Sequence, residues 1–224
     1  MARTMSAARR LPVPPTLRQS PVVAVLRAAH ADDYAPVIEA LLAGGVTHIE
    51  VTLSTPGTLD VVPQLIERFG ADAQIGIGTV TDPDQARQAI DAGCGYLVTP
   101  TTNPAVIELA VGAGLPVFPG GFTPTELQTG WSQGATAVKV FPASQLGHGY
   151  VADLRGPFPG IEVIPSGGVT ADGALDWLRA GACAVSLGGP LLQDAFRGGD
   201  PAELTRRASA LMTRIADAGF GGAR

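Results

Sequence analysis

Lysine is almost missing from this 224-residue chain: of its 15 basic residues 14 are arginine and one, Lys139, is lysine. Charge of either sign is sparse, at 16% of residues, and the net charge is −5. That balance builds no positive surface of the kind nucleic acid requires. Arg3, Arg9, Arg10 and Arg18 cluster near the N-terminus and read as a frayed basic tail. No run approaches the length of apolar chain that crosses a bilayer, so no membrane span is expected. The basic N-terminus has no apolar stretch before "LPVPPT", which argues against a secretory signal. Only two cysteines occur, Cys94 and Cys183, in no C-x-x-C or zinc spacing. They read as small buried thiols, compatible with a reducing cytoplasm. The three histidines, His30, His48 and His148, have no metal-ligand spacing, and only His148 falls near the expected site.

Apolar residues, at 46%, and glycine and proline, at 29 and 19, are plentiful. The apolar residues come in short Val- and Ile-rich runs: 22–27, 48–53, 75–80, 96–100, 116–120, 137–142, 162–168 and 184–189. Their apolarity is continuous rather than alternating, as in parallel strands covered on both faces. Amphipathic stretches fill the gaps. Asp32 or Asp33, Asp82, Asn103 and Thr123 are expected helix caps, the last three followed by proline at the first helical position. Gly44, Gly93, Gly114, Gly134 and Gly181 are expected left-handed stops. Eight such units in a chain of this length predict an α/β fold, a single-domain TIM (β/α)8 barrel spanning 16–224, with 1–15 as an irregular N-terminal extension. An open doubly wound sheet is the alternative, but no G-x-G-x-x-G opens a helix after the first run.

A barrel of this kind works at the C-terminal ends of its strands. Arg27, Glu50, Thr52, Thr79, Thr99, Lys139, Ser166 and Ser186 sit at those ends or point inward. Glu50 in "HIEVTL" and Lys139 in "AVKVF" are ionisable groups inside apolar runs. Burial favours the neutral amine, a nucleophile toward a ketone that forms a Schiff base, which a guanidinium cannot do. A buried glutamate beside it would move protons. The competing reading is a structural Lys–Glu ion pair. Gly167 and Gly168, with Gly188 and Gly189, end the last two strands, where backbone amides approach an anion; plain turn glycines are the alternative. Arg27 would clamp a carboxylate, with a plain surface arginine at a strand end as the alternative, and Thr79 would donate a hydroxyl to that carboxylate or simply satisfy the backbone.

Together "GGVTHIEVTLSTP", "IGIGTVTDPDQARQAIDAGCGYLVTP", "VFPGGFTPTEL", "AVKVFPAS", "PSGGV" and "SLGGPLL", in order from about residue 16 to 195, resemble the 2-keto-3-deoxy-6-phosphogluconate (KDPG) aldolase family. The resemblance implies a cytoplasmic class I aldolase of carbohydrate metabolism, on the Entner–Doudoroff route, which forms a homotrimer and needs no metal or organic cofactor. It implies reversible cleavage of a 2-keto-3-deoxy-6-phospho sugar acid, KDPG first, to pyruvate and D-glyceraldehyde 3-phosphate. The galactonate epimer (KDPGal) and 4-hydroxy-2-oxoglutarate are alternatives on the same site. Lys139 matches the Schiff-base lysine and Glu50 the proton-shuttling carboxylate. Thr79 matches a pyruvate-carboxylate ligand, Arg27 an arginine found on the first strand in part of the family, and Pro100 and Phe141 residues that line the site. Gly167, Gly168, Gly188 and Gly189 match the phosphate loops. Ser54 stands where gluconate-type members carry arginine, as in galactonate-type relatives, and Pro190 where they carry serine. Two other readings stand beside the aldolase: an epimerase or synthase on a phosphate-binding barrel, and a non-catalytic sugar-phosphate binder.

Overall fold

The computed structural model describes residues 10–221; Arg3 and Arg9 of the expected tail lie outside them. Each apolar run becomes strand: β1 (Val22–Leu26), β2 (His48–Thr52), β3 (Gln74–Gly78), β4 (Leu97–Val98), β5 (Val117–Phe118), β6 (Gly120–Gly121), β7 (Val138–Val140), β8 (Val163–Pro165) and β9 (Val185–Leu187). The fifth run is split into β5 and β6 at Pro119, which has no N–H for a ladder. All pairings are parallel, in the orders β5-β4-β3-β2-β1-β9 and β6-β7-β8. The two sheets are continuous through the split fifth run. The ring closes where the Cys183 N–H, just ahead of β9, donates to the Val163 carbonyl at 3.0 Å. The open-sheet alternative is thereby excluded, and the fold is a single-domain (β/α)8 barrel.

Ten helices occur among the described residues: α1 (Pro15–Gln19), α2 (Tyr34–Ala43), α3 (Thr58–Phe69), α4 (Pro83–Asp91), α5 (Pro104–Gly112), α6 (Pro124–Ser132), α7 (Tyr150–Arg155), α8 (Ala171–Arg179), α9 (Gly189–Leu192) and α10 (Pro201–Asp217). Asp82 caps α4 by accepting from the N–H groups of Asp84 and Gln85, both at 2.9 Å. Asn103 caps α5, and Thr123 forms a reciprocal capping box with Glu126 on α6. Asp32 and Asp33 do not cap α2. They lie in a 3-10 turn, and Asp33 has helical backbone angles (φ −76°, ψ −9°) where a capping side chain needs an extended one. Four of the five expected glycine stops are left-handed; the exception is Gly44, whose neighbour Gly45 takes that conformation at φ +86°. Gly44 is small for another reason. A Cβ there would lie 2.4 Å from the Ala208 Cβ, so its absence lets α10 pack onto α2.

Period-two alternation sorts the side chains of each strand. Ile49 and Val51 face the helices, in the large apolar layer outside the barrel. A second apolar cluster, including Val23, Tyr96, Val98, Phe118 and Ile164, fills the barrel, and Leu17 of α1 joins it. The short helix α1, at the boundary of the expected extension, therefore plugs the N-terminal end. His48 ties that plug to β2. Its Nε2 lies 3.3 Å from Thr16 Oγ1 and its Nδ1 3.3 Å from Thr47 Oγ1.

Burial holds the His48 imidazole neutral, lowering its pKa from 6.5 to about 4. The unfolded chain therefore takes up this proton first as pH falls. Stability linked to His48 is complete above pH 6.5 and is lost from there down to about 4, by roughly 3 kcal/mol. Thermal melts across that window are expected to show a fall in Tm that is smaller in a His48→Asn variant. Parallel curves for the two proteins would contradict a buried neutral His48.

Candidate active site

Lys139 on β7 and Glu50 on β2 both point into the barrel. Each is buried, at 7% and 1% exposure, and the Lys139 Nζ stands 4.0 Å from the Glu50 Oε1. The neighbouring strand is cut to receive them. In register, Glu50 pairs with Gly76 and Thr52 with Gly78. A Cβ on Gly78 would lie 2.0 Å from Glu50 Oε1 and 2.5 Å from its Cδ, so Gly78 leaves the space the carboxylate occupies. A Cβ on Gly76 would lie 2.2 Å from the Tyr96 ring, so Gly76 leaves the space for that phenol. The "G-x-G" of β3 thus clears two adjacent inward side chains. It does not serve a turn.

The remaining expected residues gather at the same, C-terminal, end. The Phe141 ring centre is 5.2 Å from the Lys139 Nζ. The loops after β7 and β8 are laced together: Ala143 N–H donates to Ser166 O at 2.7 Å, and Ser144 N–H to Gly167 O at 2.9 Å. Gly167 and Gly168 are both left-handed, at φ +82° and +80°, and side chains there would strike Phe141 and Ser144. Pro100 follows β4, and its carbonyl lies against Gly120, where a Cβ would come within 2.4 Å. Thr79 follows β3 in a left-handed conformation (φ +61°) that is costly for a β-branched residue. Gly188 ends β9, and Gly189 and Pro190 open the four-residue helix α9. Arg27 is exposed directly after β1 and makes no ion pair or hydrogen bond among the described residues. Its loop is pinned by Thr55, whose hydroxyl accepts from Ala28 N–H at 3.1 Å and donates to Ala28 O at 3.2 Å. Ser54 is exposed and lies 3.1 Å from Thr52 Oγ1. His148 is exposed beyond the β7 loop and is not brought to the pair.

The sequence did not single out Gly76, Gly78, Thr55 or Tyr96. Each matters through a contact with a distant strand, and only its own local pattern is visible along the chain. Tyr96 is buried inside the barrel, and its hydroxyl has no hydrogen-bond partner among the described residues. Burial first, and then the negative charge of Glu50, push its pKa well above the ordinary phenol value. The thiols of Cys94 and Cys183 are buried and free, and burial raises both to about 12, which keeps them protonated and unreactive.

Gly78→Ala is expected to displace the whole Glu50 side chain, because the new Cβ would lie 2.0 Å from its Oε1 and 2.5 Å from both its Cδ and its Cγ. Pyruvate release from a 2-keto-3-deoxy-6-phospho sugar acid should then fall about a hundredfold or more. Unchanged release in a folded Gly78→Ala protein would mean that the position of Glu50 is immaterial.

Known proteins resemble this chain over most of its length. The family model described as KDPG and KHG aldolase matches residues 13–206. The 2-dehydro-3-deoxy-6-phosphogalactonate aldolase of Escherichia coli K12 is 34% identical over 195 residues, covering 87% of this chain and 93% of its own. The 2-dehydro-3-deoxy-phosphogluconate aldolase of Dickeya dadantii is 33% identical over 194 residues, covering 84% of this chain and 89% of its own. The crystal structure of the KDPG aldolase from Legionella pneumophila, with pyruvate captured as a covalent carbinolamine intermediate, superposes with a TM-score of 0.81 at 28% identity, over 89% of this chain and 98% of that one. By its matched span and its shared barrel, the chain belongs to the KDPG and KHG aldolase family.

Proposed function

We propose that this chain is a class I aldolase that cleaves a 2-keto-3-deoxy-6-phospho sugar acid to pyruvate and D-glyceraldehyde 3-phosphate through a Schiff base on Lys139. The observation that carries the reading is the only lysine of the chain, buried 4.0 Å from a buried glutamate inside the barrel. The Lys139 amine attacks the C2 ketone, and loss of water from the carbinolamine gives an iminium. Glu50 gives and takes the protons of that dehydration. It then removes the proton of the C4 hydroxyl while the C3–C4 bonding pair flows into the iminium. The aldehyde leaves, the enamine takes a proton at C3, and hydrolysis releases pyruvate and restores the amine.

The substrate carboxylate lies toward Arg27 and Thr79 in this reading. Pro100 and Phe141 shape the walls, and the backbone of Gly167, Gly168, Gly188 and Gly189 faces the phosphate. The exposed, uncommitted guanidinium of Arg27 on a loop pinned by Thr55 supports the clamp. Cleavage of the galactonate epimer is a second reading. It is favoured by Ser54, a short side chain beside Thr52 where gluconate-type members carry arginine. Assembly as a homotrimer belongs to the same proposal and rests on the family resemblance.

Lys139→Arg preserves the charge but cannot form an imine, so cleavage of both epimers should become undetectable while the melt stays near that of the unaltered protein. Residual cleavage by the arginine variant would refute the Schiff-base route. The ratio of rates with the two epimers then assigns the C4 preference. Light scattering is expected to give three times the 22.8 kDa chain mass; a monomer mass would contradict the assembly.

A further inference from the structure

The Tyr96 hydroxyl is a polar group that the fold alone does not account for. A buried hydroxyl without a partner is destabilising, and phenylalanine would fill the same space without that cost. The ring lies over Gly76, where a Cβ would be 2.4 Å from the Tyr96 Cζ, the atom that bears the hydroxyl. Gly76 pairs in register with Glu50, on the strand roughly 4.8 Å beyond. The phenol thus reaches from the start of β4 across β3 toward the strand that carries Glu50. Three titratable groups surround it. The Cys94 thiol is protonated, with its pKa raised to about 12. His48 has its ring 6.3 Å from that of Tyr96, and its two nitrogens are engaged by Thr16 and Thr47. Glu50 is the third. Its carboxylate can only accept; Lys139 stands 4.0 Å from it, and no described residue donates a hydrogen bond to it. A buried donor without an acceptor and a buried acceptor without a donor therefore face each other across Gly76.

We propose that Tyr96 is a positioning residue for Glu50, its hydroxyl donating to one carboxylate oxygen so that the other is aimed at the substrate. The inference rests on the aldolase reading above and adds a residue to the same site. Rotation about the side-chain bonds of Glu50 brings an oxygen onto the hydroxyl. No proton leaves Tyr96 in any step. Burial and the Glu50 charge hold the phenol well above its ordinary pKa, so it donates without ionising. Lys139, from β7, draws the carboxylate from the other side, and the neutral His48 adds no competing charge. Held between the two, an ionised Glu50 presents a fixed oxygen to the C4 hydroxyl proton. A hydrogen bond to the charged form favours that form, so Tyr96 keeps Glu50 ionised to lower pH than it would otherwise be.

Tyr96→Phe removes the hydroxyl and keeps the ring that fills the space over Gly76. The test measures kcat and KM of this variant against pH with a 2-keto-3-deoxy-6-phospho sugar acid, with borohydride trapping of pyruvate on the unaltered enzyme as the reference. Glu50 must be ionised to take the C4 hydroxyl proton, so kcat falls on the acid side as it protonates. In Tyr96→Phe we expect that acid limb to move up by about one pH unit, the plateau kcat to fall about fivefold or more, and KM to stay within about twofold. Tm should be unchanged or higher, because the hydroxyl removed has no partner in the resting fold. A crystal structure with pyruvate reduced onto Lys139 is expected to show the Tyr96 Oη within hydrogen-bond distance of a Glu50 oxygen. An unmoved acid limb, an unchanged kcat, a hydroxyl bonded elsewhere in that crystal, or a variant that fails to fold would make Tyr96 a packing residue only. Each of those results would overturn the inference while leaving the aldolase reading in place. Failure of the unaltered enzyme to trap pyruvate would instead remove that reading, and this inference with it.

Discussion

Two opposite charges held inside an apolar barrel have to compensate each other, and much of the unusual chemistry of this chain follows from that constraint. A lone ammonium or carboxylate at the depth of Lys139 or Glu50 would be strongly unfavourable, and even a pair recovers its lost hydration only with good geometry. The pair here is 4.0 Å apart, looser than an ion pair optimised for stability. The proposed Schiff base would account for the one lysine in a chain that otherwise uses arginine: an imine requires an amine that can lose its proton.

The surrounding barrel is shaped to keep this pair in place. β3 gives up two inward side chains, at Gly76 and Gly78, so that Tyr96 and the Glu50 carboxylate can occupy the interior. α1 seals the opposite end with Leu17, and His48 joins that plug to the strand that carries Glu50. The reacting end is left to loops. Those after β7 and β8 brace each other, and the loop bearing Arg27 is pinned by Thr55. In the proposed reading the strands carry the chemistry while short loops meet the variable part of the substrate, the usual division of labour in this architecture.

Much of this was legible in the sequence, for reasons that differ by element. Continuous Val- and Ile-rich runs mark strands covered on both faces, and Asp82, Asn103 and Thr123 before proline mark helix starts through strictly local chemistry. Lys139 and Glu50 stood out because a charge in an apolar run is costly and needs a reason. Asp33 misled because a helical turn ahead of α2 turns it away from the cap, and Gly44 because its small size serves packing against α10 rather than a turn. Illegible were the contacts between strands far apart in sequence. The space Gly78 leaves is seen only once Glu50 fills it, and the contact between Ser166 and Ser186 only once the barrel brings them within 3.3 Å.

The central claim is that Lys139 is a nucleophile rather than half of a structural ion pair. Borohydride reduction in the presence of pyruvate, followed by peptide mass spectrometry, tests it directly, since apart from the N-terminal amine Lys139 is the only primary amine in the chain. The account predicts a reduced pyruvate adduct on the peptide that contains Lys139 and on no other. A folded protein that acquires no adduct under saturating pyruvate would contradict it and leave Lys139 and Glu50 as a buried pair that only stabilises the barrel.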